Sequence, residues 1–226
     1  MHKVKNAIIL AAGRGSRLKH LTDETPKPLL APRGITFIEG IIKNLKEKGI
    51  HEIIVVTGYK AEKFNFLKDE VILVKNKEWN MGNNITSIKA AIKYVGNSLI
   101  INGDIIMKEN VFLNEYESSL TYVERNSNID EWIVKMNGNQ VIDFDKNGLG
   151  KSGFYQREII FVTNKLALLI KEEINSFNIN EYQEFLMINS SLKNSEKFGI
   201  HIIKKDLVFD LDTVDEYKKY INSKIN

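Results

Sequence analysis

Hydrophobic residues in the first half of the chain form two kinds of run. Four short runs are continuous and apolar, which is typical of parallel strands buried on both faces of a sheet. They cover residues 6–11, 52–58, 71–76 and 98–104. Between them, residues 37–48 and 84–95 carry apolar side chains at helical spacing, and a glycine follows each segment. This alternation predicts a doubly wound α/β fold with a mixed, mainly parallel sheet.

The second half of the chain has shorter runs that alternate between apolar and polar positions, which favours a more β-rich structure. We predict helices over 163–176, 180–192 and 213–225, the last with a capping box formed by Thr213 and Glu216. No repeat or low-complexity linker separates the halves, so we expect one domain over residues 1–226. The predicted strands are 119–124, 131–136, 140–144 and 199–205, with a hairpin turn at Asn137-Gly138.

Composition excludes several classes of function. The 32 basic and 29 acidic residues give a net charge of only +3, which argues against a nucleic-acid partner. Cysteine is absent, so disulfides and thiolate metal sites are ruled out, and a cytoplasmic location is expected. No run approaches the ~18 apolar residues that would span a bilayer, so we expect no membrane partner.

A glycine-rich loop leaves the first predicted strand. Gly13 and Gly15 allow close approach of the backbone to a phosphate, and successive N–H groups in such a loop form an anion site. Arg17 adds a planar fork of donors, and Lys27 stands between Pro26 and Pro28 on a stiff segment. Two cations near such a loop indicate phosphate binding, although a plain strand-to-helix turn with solvated charges is the alternative.

Two better-known phosphate motifs do not fit. A dinucleotide-binding fingerprint needs a small residue at position 18, which is Leu18. The segment Gly150-Lys151-Ser152 resembles the end of a Walker A motif, but the glycine required at position 145 is Asp145. We therefore interpret residues 148–153 as a loop.

Carboxylates near two segment ends are candidates for binding Mg²⁺. Asp104 closes the strand 98–104, and Asp210 and Asp212 are two apart, which places both on one face of an extended segment. Asp104 and Asp212 also have a structural alternative, because each is placed to cap a helix. The four histidines show no ligand spacing and no candidate serine lies in a nucleophile elbow, so no Ser-His-Asp site is predicted.

Together these segments resemble the nucleotidyltransferases that activate sugar phosphates and related small phosphates. The family signature stands here as LAAGRGSRLKHLTDETPKPLL over residues 10–30, with His20 in place of a usual proline. Within the family the chain is most similar to bacterial choline-phosphate cytidylyltransferases and their 2-aminoethylphosphonate relatives, through the segments 76–88, 130–134, 152–156 and 209–220. The resemblance implies a Rossmann-like nucleotidyltransferase fold with a small β-rich acceptor-binding lid.

The resemblance also implies a role for each matching residue. Lys27 and Arg17 would act on the phosphates, and Asp104, Asp210 and Asp212 would hold Mg²⁺. Residues 1–115 would bind the nucleotide, and residues 116–226 the acceptor. The nucleotide-binding residues would be Leu10, Ala11, Ala12, Gly13, Arg14, Gly15, Ser16, Gly58, Tyr59, Asn83, Asn84 and Ser87.

The implied acceptor is a small phosphorylated amine, bound by Glu131, Trp132, Tyr155, Tyr182 and Phe185. An aromatic box with a nearby acid suits a quaternary ammonium, and core packing is the alternative role for these rings. The family carries a Tyr-Trp-Asp cluster in the segment matching 182–189, which reads YQEFLMIN here.

The leading hypothesis is therefore Mg²⁺-dependent transfer from CTP to phosphocholine by a monomer or homodimer. The alternatives are transfer from CTP to 2-aminoethylphosphonate, a sugar-1-phosphate nucleotidyltransferase that uses UTP or TTP, and a non-catalytic nucleotide-binding module.

Overall fold

The computed structural model describes residues 1–223, and the secondary structure there is a sequence of strands with helices on both sides of one large sheet. The strands are β1 (His2–Lys3), β2 (Asn6–Ala11), β3 (Ile53–Thr57), β4 (Ile72–Lys75), β5 (Ser98–Asn102), β6 (Ile105–Met107), β7 (Glu115–Tyr116), β8 (Ser119–Ser127), β9 (Ile133–Asn137), β10 (Gln140–Asp145), β11 (Ser152–Val162), β12 (Phe198–Ile203) and β13 (Val208–Asp210). The α-helices are α1 (Phe37–Glu47), α2 (Ile85–Ala91), α3 (Asn164–Glu173), α4 (Gln183–Lys193) and α5 (Val214–Asn222). Short 3₁₀ helices cover Ser16–Thr22, Lys27–Leu29, Ala61–Leu67 and Ile92–Tyr94.

The large sheet has a parallel part and an antiparallel part. Strands β5, β2, β3 and β4 are adjacent and parallel. Strand β11 pairs antiparallel with β5 and also pairs with β8 and β9, so it joins the two parts. The sheet is completed by β10 beside β9 and by β12, which runs parallel to β8. The β-rich second half is thus an extension of the same sheet.

Alternate side chains of the parallel strands pack in two apolar layers, one on each side of the sheet. All six residues of β2 are buried. Ala7 and Ile9 pack in the layer that contains the apolar face of α1. Ile8 and Leu10 pack in the opposite layer, with α2, α3 and α4. This two-sided burial explains why the parallel strands are continuously apolar, and it confirms the predicted doubly wound α/β class.

Most predicted elements are confirmed with small changes at their ends. The predicted capping box of Thr213 and Glu216 begins α5. The end of the helix predicted over 213–225 lies partly outside the described residues. The loop predicted over 148–153 is wrong at its end, because residues 152–162 form β11, an unpredicted strand that joins the two parts of the sheet. Within residues 1–223, no helix has the length and apolar character required to cross a bilayer.

Candidate active site

A cavity of about 250 Å³ lies at the carboxyl ends of β2 and β5. Its position agrees with the general rule that open α/β sheets bind ligands where parallel strands end. Eight residues predicted to bind nucleotide line it: Leu10, Ala11, Ala12, Gly13, Gly15, Asn83, Asn84 and Ser87. Trp79, Gly82, Thr86 and Asn102 line it as well, and no motif in the sequence marks them as ligand-binding residues.

Gly13 and Gly15 of the loop each lack a side chain for a different structural reason. Gly15 has φ = 70°, and a Cβ there would lie 2.8 Å from the Cβ of Lys27, so a side chain would both strain the backbone and displace the lysine. A Cβ on Gly13 would meet no atom within 4 Å. The open space at Gly13 is therefore available to a ligand, whereas the absence of a side chain at Gly15 seats Lys27.

Four other predicted nucleotide residues do not line the cavity. Arg14 is exposed and forms an ion pair of 3.0 Å with Asp23, and Ser16 is exposed at the start of a 3₁₀ helix. Gly58 lies beneath Trp79: a Cβ there would be 2.5 Å from the Trp79 Cβ. The hydroxyl of Tyr59 donates to the carbonyls of Thr22 and Asp23, at 3.0 and 2.9 Å. Gly58 and Tyr59 therefore support the loop from behind.

Lys27 lies at the centre of the predicted carboxylate cluster. Its Nζ is 2.7 Å from Asp104 Oδ2, 2.7 Å from Asp212 Oδ1 and 3.9 Å from Asp210 Oδ2. The lysine is buried, whereas Arg17 is largely exposed and reaches Asp212 Oδ2 at 2.6 Å. Predicted cations and predicted metal ligands therefore meet at one place.

Local folding explains how the three aspartates converge. Asp104 follows β5 and precedes β6, and β6 pairs antiparallel with β13 so that Asp210 is opposite Ile105. Asp212 follows two residues later, before α5, whose cap is Thr213. Asp104 does not cap a helix, because the residues directly after it, 105–107, form strand β6. Neither aspartate is needed as a helix cap, which leaves both free to act in the site.

The charges in this cluster strongly influence one another. Burial alone would lower the pKa of Lys27, but the charges of Asp104, Asp210 and Asp212 raise it above its ordinary value. Burial, with the charges of Asp212 and Asp104, raises the pKa of Asp210 to about 8. Burial opposes ionisation of Asp212 too, yet the nearby Lys27 and Arg17 lower its pKa overall. Lys27 therefore stays protonated, and Asp210 is the carboxyl group of the cluster that burial and its neighbours hold in the neutral form.

The donor set of this cluster fits a divalent cation. Carboxylate oxygens are the ligands that Mg²⁺ prefers, and three of them converge within 4 Å of one ammonium. In the described part of the chain, no three acidic or histidine side chains already surround a single point as metal ligands. Lys27 lies between the aspartates instead. The metal role of Asp104, Asp210 and Asp212 therefore stays a prediction that their chemistry supports.

A second cavity, of about 580 Å³, opens beside the first and shares Asn84, Asn102 and Asp104 with it. Its lining includes three of the predicted acceptor residues, namely Glu131, Trp132 and Tyr182. The Trp132 ring centroid lies 4.8 Å from that of Tyr182 and 5.9 Å from that of Phe185. We call Trp132, Tyr182 and Phe185 the aromatic box.

Two carboxyl groups flank the aromatic box. Burial raises the pKa of Glu131, which lines the same cavity. Burial also raises the pKa of Glu184, although Gln156 Nε2 donates to its Oε1 at 2.9 Å. Glu184 Oε2 has no hydrogen-bond partner in residues 1–223. Two carboxyl groups therefore share the cavity with rings of the aromatic box, and burial favours the neutral form of each.

Tyr155 does not reach this pocket, contrary to the prediction. It is fully buried in β11, and its hydroxyl donates to the carbonyls of Gly148 and Lys151, each at 2.8 Å. Its ring satisfies the core-packing alternative because the strand turns it beneath the loop 146–151. Tyr155 therefore positions that loop and lies outside the aromatic box.

Glu158 is a cavity residue that sequence reasoning missed. It lies in β11 where the pairing with β8 shifts between Gln156 and Ile160, and its φ is 54°. Burial and the charges of Asp104 and Asp210 raise its pKa well above the usual range, and its Oε2 lacks a hydrogen-bond partner in the described residues. No motif marks it, because the strand irregularity that turns it into the cavity depends on pairing with distant residues.

Comparison with known proteins agrees with this arrangement. A family model described as a MobA-like NTP transferase domain matches residues 7–116. The choline-phosphate cytidylyltransferase of Haemophilus influenzae is 32% identical over 225 residues, which cover 94% of each chain. The chain belongs to this family of nucleotidyltransferases. Its membership confirms that the protein is an enzyme of the transferase class, as the sequence predicted.

Two further proteins are similar to this nucleotidyltransferase. The solved CTP:phosphocholine cytidylyltransferase of Streptococcus pneumoniae superposes with a TM-score of 0.86 at 28% identity, covering 97% of this chain and 98% of that one. The 2-aminoethylphosphonate cytidylyltransferase of Lancefieldella rimae is 36% identical over 66% of this chain and 61% of its own. The structural match confirms the predicted nucleotidyltransferase fold.

Proposed function

We propose that this nucleotidyltransferase transfers the cytidylyl group of CTP to phosphocholine and releases pyrophosphate. The observation that carries the proposal is that Trp132 and Tyr182 of the aromatic box line the same cavity as Asp104 and Asp212. A small acceptor with a cationic head and a phosphate tail fits such a cavity, because rings attract the head and cations attract the tail. Relatives with choline-phosphate activity support the same substrate pair.

The nucleotide would occupy the first cavity, with its triphosphate against the loop 12–17. The space at Gly13 lets phosphate oxygens approach backbone N–H groups, and Lys27 and Arg17 supply positive charge. The base would lie toward Trp79, Asn83 and Ser87. Because both cations are paired with Asp212 in the free protein, we expect them to exchange part of that pairing for phosphate oxygens.

The reaction itself needs positioning and charge neutralisation. A phosphate oxygen of the acceptor attacks the α-phosphorus in line, the new P–O bond forms, and the bond to pyrophosphate breaks. The attacking oxygen is already anionic, so no strong general base is required. No histidine among the described residues lines either cavity, which agrees with this chemistry.

Asp104, Asp210 and Asp212 would hold Mg²⁺ in this reaction. Bound Mg²⁺ would supply neutralisation of the charge that develops on the phosphates. Lys27 lies at the same place, so Mg²⁺ and the Lys27 ammonium would together neutralise negative charge at the α-phosphate. A cytoplasmic location and a monomeric or dimeric state remain predictions.

One observation also favours 2-aminoethylphosphonate as the acceptor. The aromatic box contacts the primary ammonium of Lys146, so its dimensions suit a primary amine as well as a quaternary one. The relative from Lancefieldella rimae bears that activity in its name. Both acceptors place a cation in the box and an anionic oxygen near Lys27, so the same residues serve either reaction.

A matrix of substrates tests the proposal. The protein would be mixed with Mg²⁺, one of CTP, UTP, TTP or ATP, and one of phosphocholine, phosphoethanolamine, 2-aminoethylphosphonate or glucose-1-phosphate, and pyrophosphate release would be measured. We expect turnover with CTP and phosphocholine, and a raised acceptor KM in Trp132→Ala. Turnover confined to glucose-1-phosphate, or a Trp132→Ala enzyme with an unchanged acceptor KM, would overturn it.

A further inference from the structure

Lys146 places a cation in the aromatic box. The residue directly follows β10, and its Nζ lies 5.3 Å from the ring centroid of Trp132, 4.9 Å from that of Tyr182 and 5.0 Å from that of Phe185. All three distances are within the ~6 Å over which a ring face attracts an ammonium. The site that suits the cation of an acceptor is therefore already engaged by the chain itself.

The loop that carries Lys146 is held close to the box. Lys151 Nζ lies 2.6 Å from Asp145 Oδ2, which ties together the two ends of the loop. A Cβ on Gly148 would be 2.4 Å from the Tyr155 ring and 2.5 Å from the Glu131 carbonyl oxygen, so the loop backbone packs directly against the segment that leads to Trp132. These contacts keep the Lys146 backbone near the box.

The Lys146 side chain, in contrast, is free to leave. The residue is exposed, so its ammonium approaches the rings from the solvent side. Its long flexible stem allows the ammonium to withdraw by side-chain rotation while the loop backbone stays in place. Two cations in one box of three rings would lie about 4 Å apart and would repel each other even at the effective dielectric near a protein surface.

We propose that Lys146 is an intramolecular competitor for the cationic group of the acceptor and thereby sets the affinity of the enzyme for it. This inference rests on the proposed function, because it assigns the aromatic box to the acceptor. Each acceptor that enters the box displaces the same ammonium, so the competition weakens binding of all of them by a common factor. Removal of the Lys146 ammonium should not strengthen the binding of an acceptor that lacks a cationic group.

Binding of tetramethylammonium tests the inference without catalysis. The protein contains two tryptophans, so a Trp79→Phe background leaves Trp132 as the fluorescent reporter of the box. We expect Lys146→Ala to bind tetramethylammonium about three- to tenfold more tightly at matched ionic strength, the range that one cation–π contact supplies. Lys146→Arg, which keeps a cation, should bind as weakly as the parent.

Lys135→Ala is the matched control. It removes a positive charge from the same hairpin, where Lys135 is exposed and paired with Asp143 at 2.9 Å. It should leave tetramethylammonium binding unchanged, which separates competition from a general loss of positive charge. Unchanged or weaker binding in Lys146→Ala would overturn the inference, and weaker binding would mean that Lys146 helps to build the pocket.

Kinetics separate this inference from the proposed function. With CTP and phosphocholine, Lys146→Ala should lower the acceptor KM by the same three- to tenfold factor, with little change in kcat or in the KM for CTP. Turnover by the parent with no effect of Lys146→Ala would refute the competitor and retain the function. Tighter tetramethylammonium binding by a protein that does not use phosphocholine would refute the function and retain the competitor.

Discussion

The side-chain oxygen of Asn84 accepts a hydrogen bond of 2.8 Å from the backbone N–H of Gln183, and this bond links the walls of the first and second cavities. Asn84 lines both cavities, and Gln183 directly follows Tyr182 of the aromatic box. The neighbouring Asn83 N–H donates to the carbonyl of Ile179 at 2.8 Å. The segment before α4 is therefore fastened to the loop before α2.

We expect Asn84→Ala to raise the acceptor KM about fivefold, because the lost hydrogen bond contributes on the order of 1 kcal/mol and Tyr182 loses its support. Asn84→Asp retains an accepting oxygen at this position and should retain the bond. Hydrogen exchange at the Gln183 amide provides the structural measurement: faster in Asn84→Ala and close to the parent in Asn84→Asp. Equal exchange in all three proteins would contradict the connection.

The parallel half of the fold could be predicted because its signals are local. Continuous apolar runs, helical spacing and terminal glycines each occur within about a dozen residues. The phosphate loop and Lys27 were found in the same way, since Gly13, Gly15 and the Pro-Lys-Pro segment are close in sequence. Their meeting with Asp212 required the family resemblance, because 185 residues separate the two.

Features set by strand pairing were missed or misread. Strand β11 begins with polar residues and is held by three neighbours, so its own pattern does not reveal it. The family resemblance predicts that Tyr155 contacts the acceptor, yet the position of Tyr155 in that strand turns its ring into the core. Lys146 carries no motif, because its contact with the rings depends on how the loop after β10 packs against the segment before β9.

Lys27 is expected to be essential for turnover. Lys27→Met keeps much of the side-chain volume but removes the charge, and kcat should fall by about 10²–10³ because one electrostatic donor to the developing charge is lost. Circular dichroism would check that the variant folds. Lys68→Ala is the control: it removes an exposed positive charge that lines neither cavity, and it should leave kcat unchanged. A Lys27→Met enzyme with parental kcat would contradict the assignment of this lysine.

The two loop glycines should respond differently to alanine. Gly15→Ala should lower the free energy of unfolding by about 1 kcal/mol or more, because alanine is strained at this positive φ and its Cβ presses on Lys27. Gly13→Ala should leave stability nearly unchanged and raise the KM for CTP, since its Cβ extends into open cavity space. Urea unfolding and nucleotide kinetics on both variants test the pair. Equal losses of stability would contradict the two separate roles.

Asp210 should make stability decrease as pH rises in the absence of divalent metal. Its pKa is raised to about 8 in the folded protein from an ordinary value of 3.8, so between these values the folded state keeps a proton that the unfolded state has released. The free energy of unfolding therefore falls with increasing pH across that window, and the loss is complete above the folded pKa. Asp210→Asn cannot ionise, so its stability advantage over the parent should grow from about pH 4 to about pH 8, between the unfolded and folded pKa values of Asp210. Urea unfolding in EDTA at several pH values measures this difference.

Asp69→Asn, at an exposed carboxylate, serves as the control and should follow the parent. An advantage of Asp210→Asn that is the same at every pH would show that Asp210 does not titrate near 8.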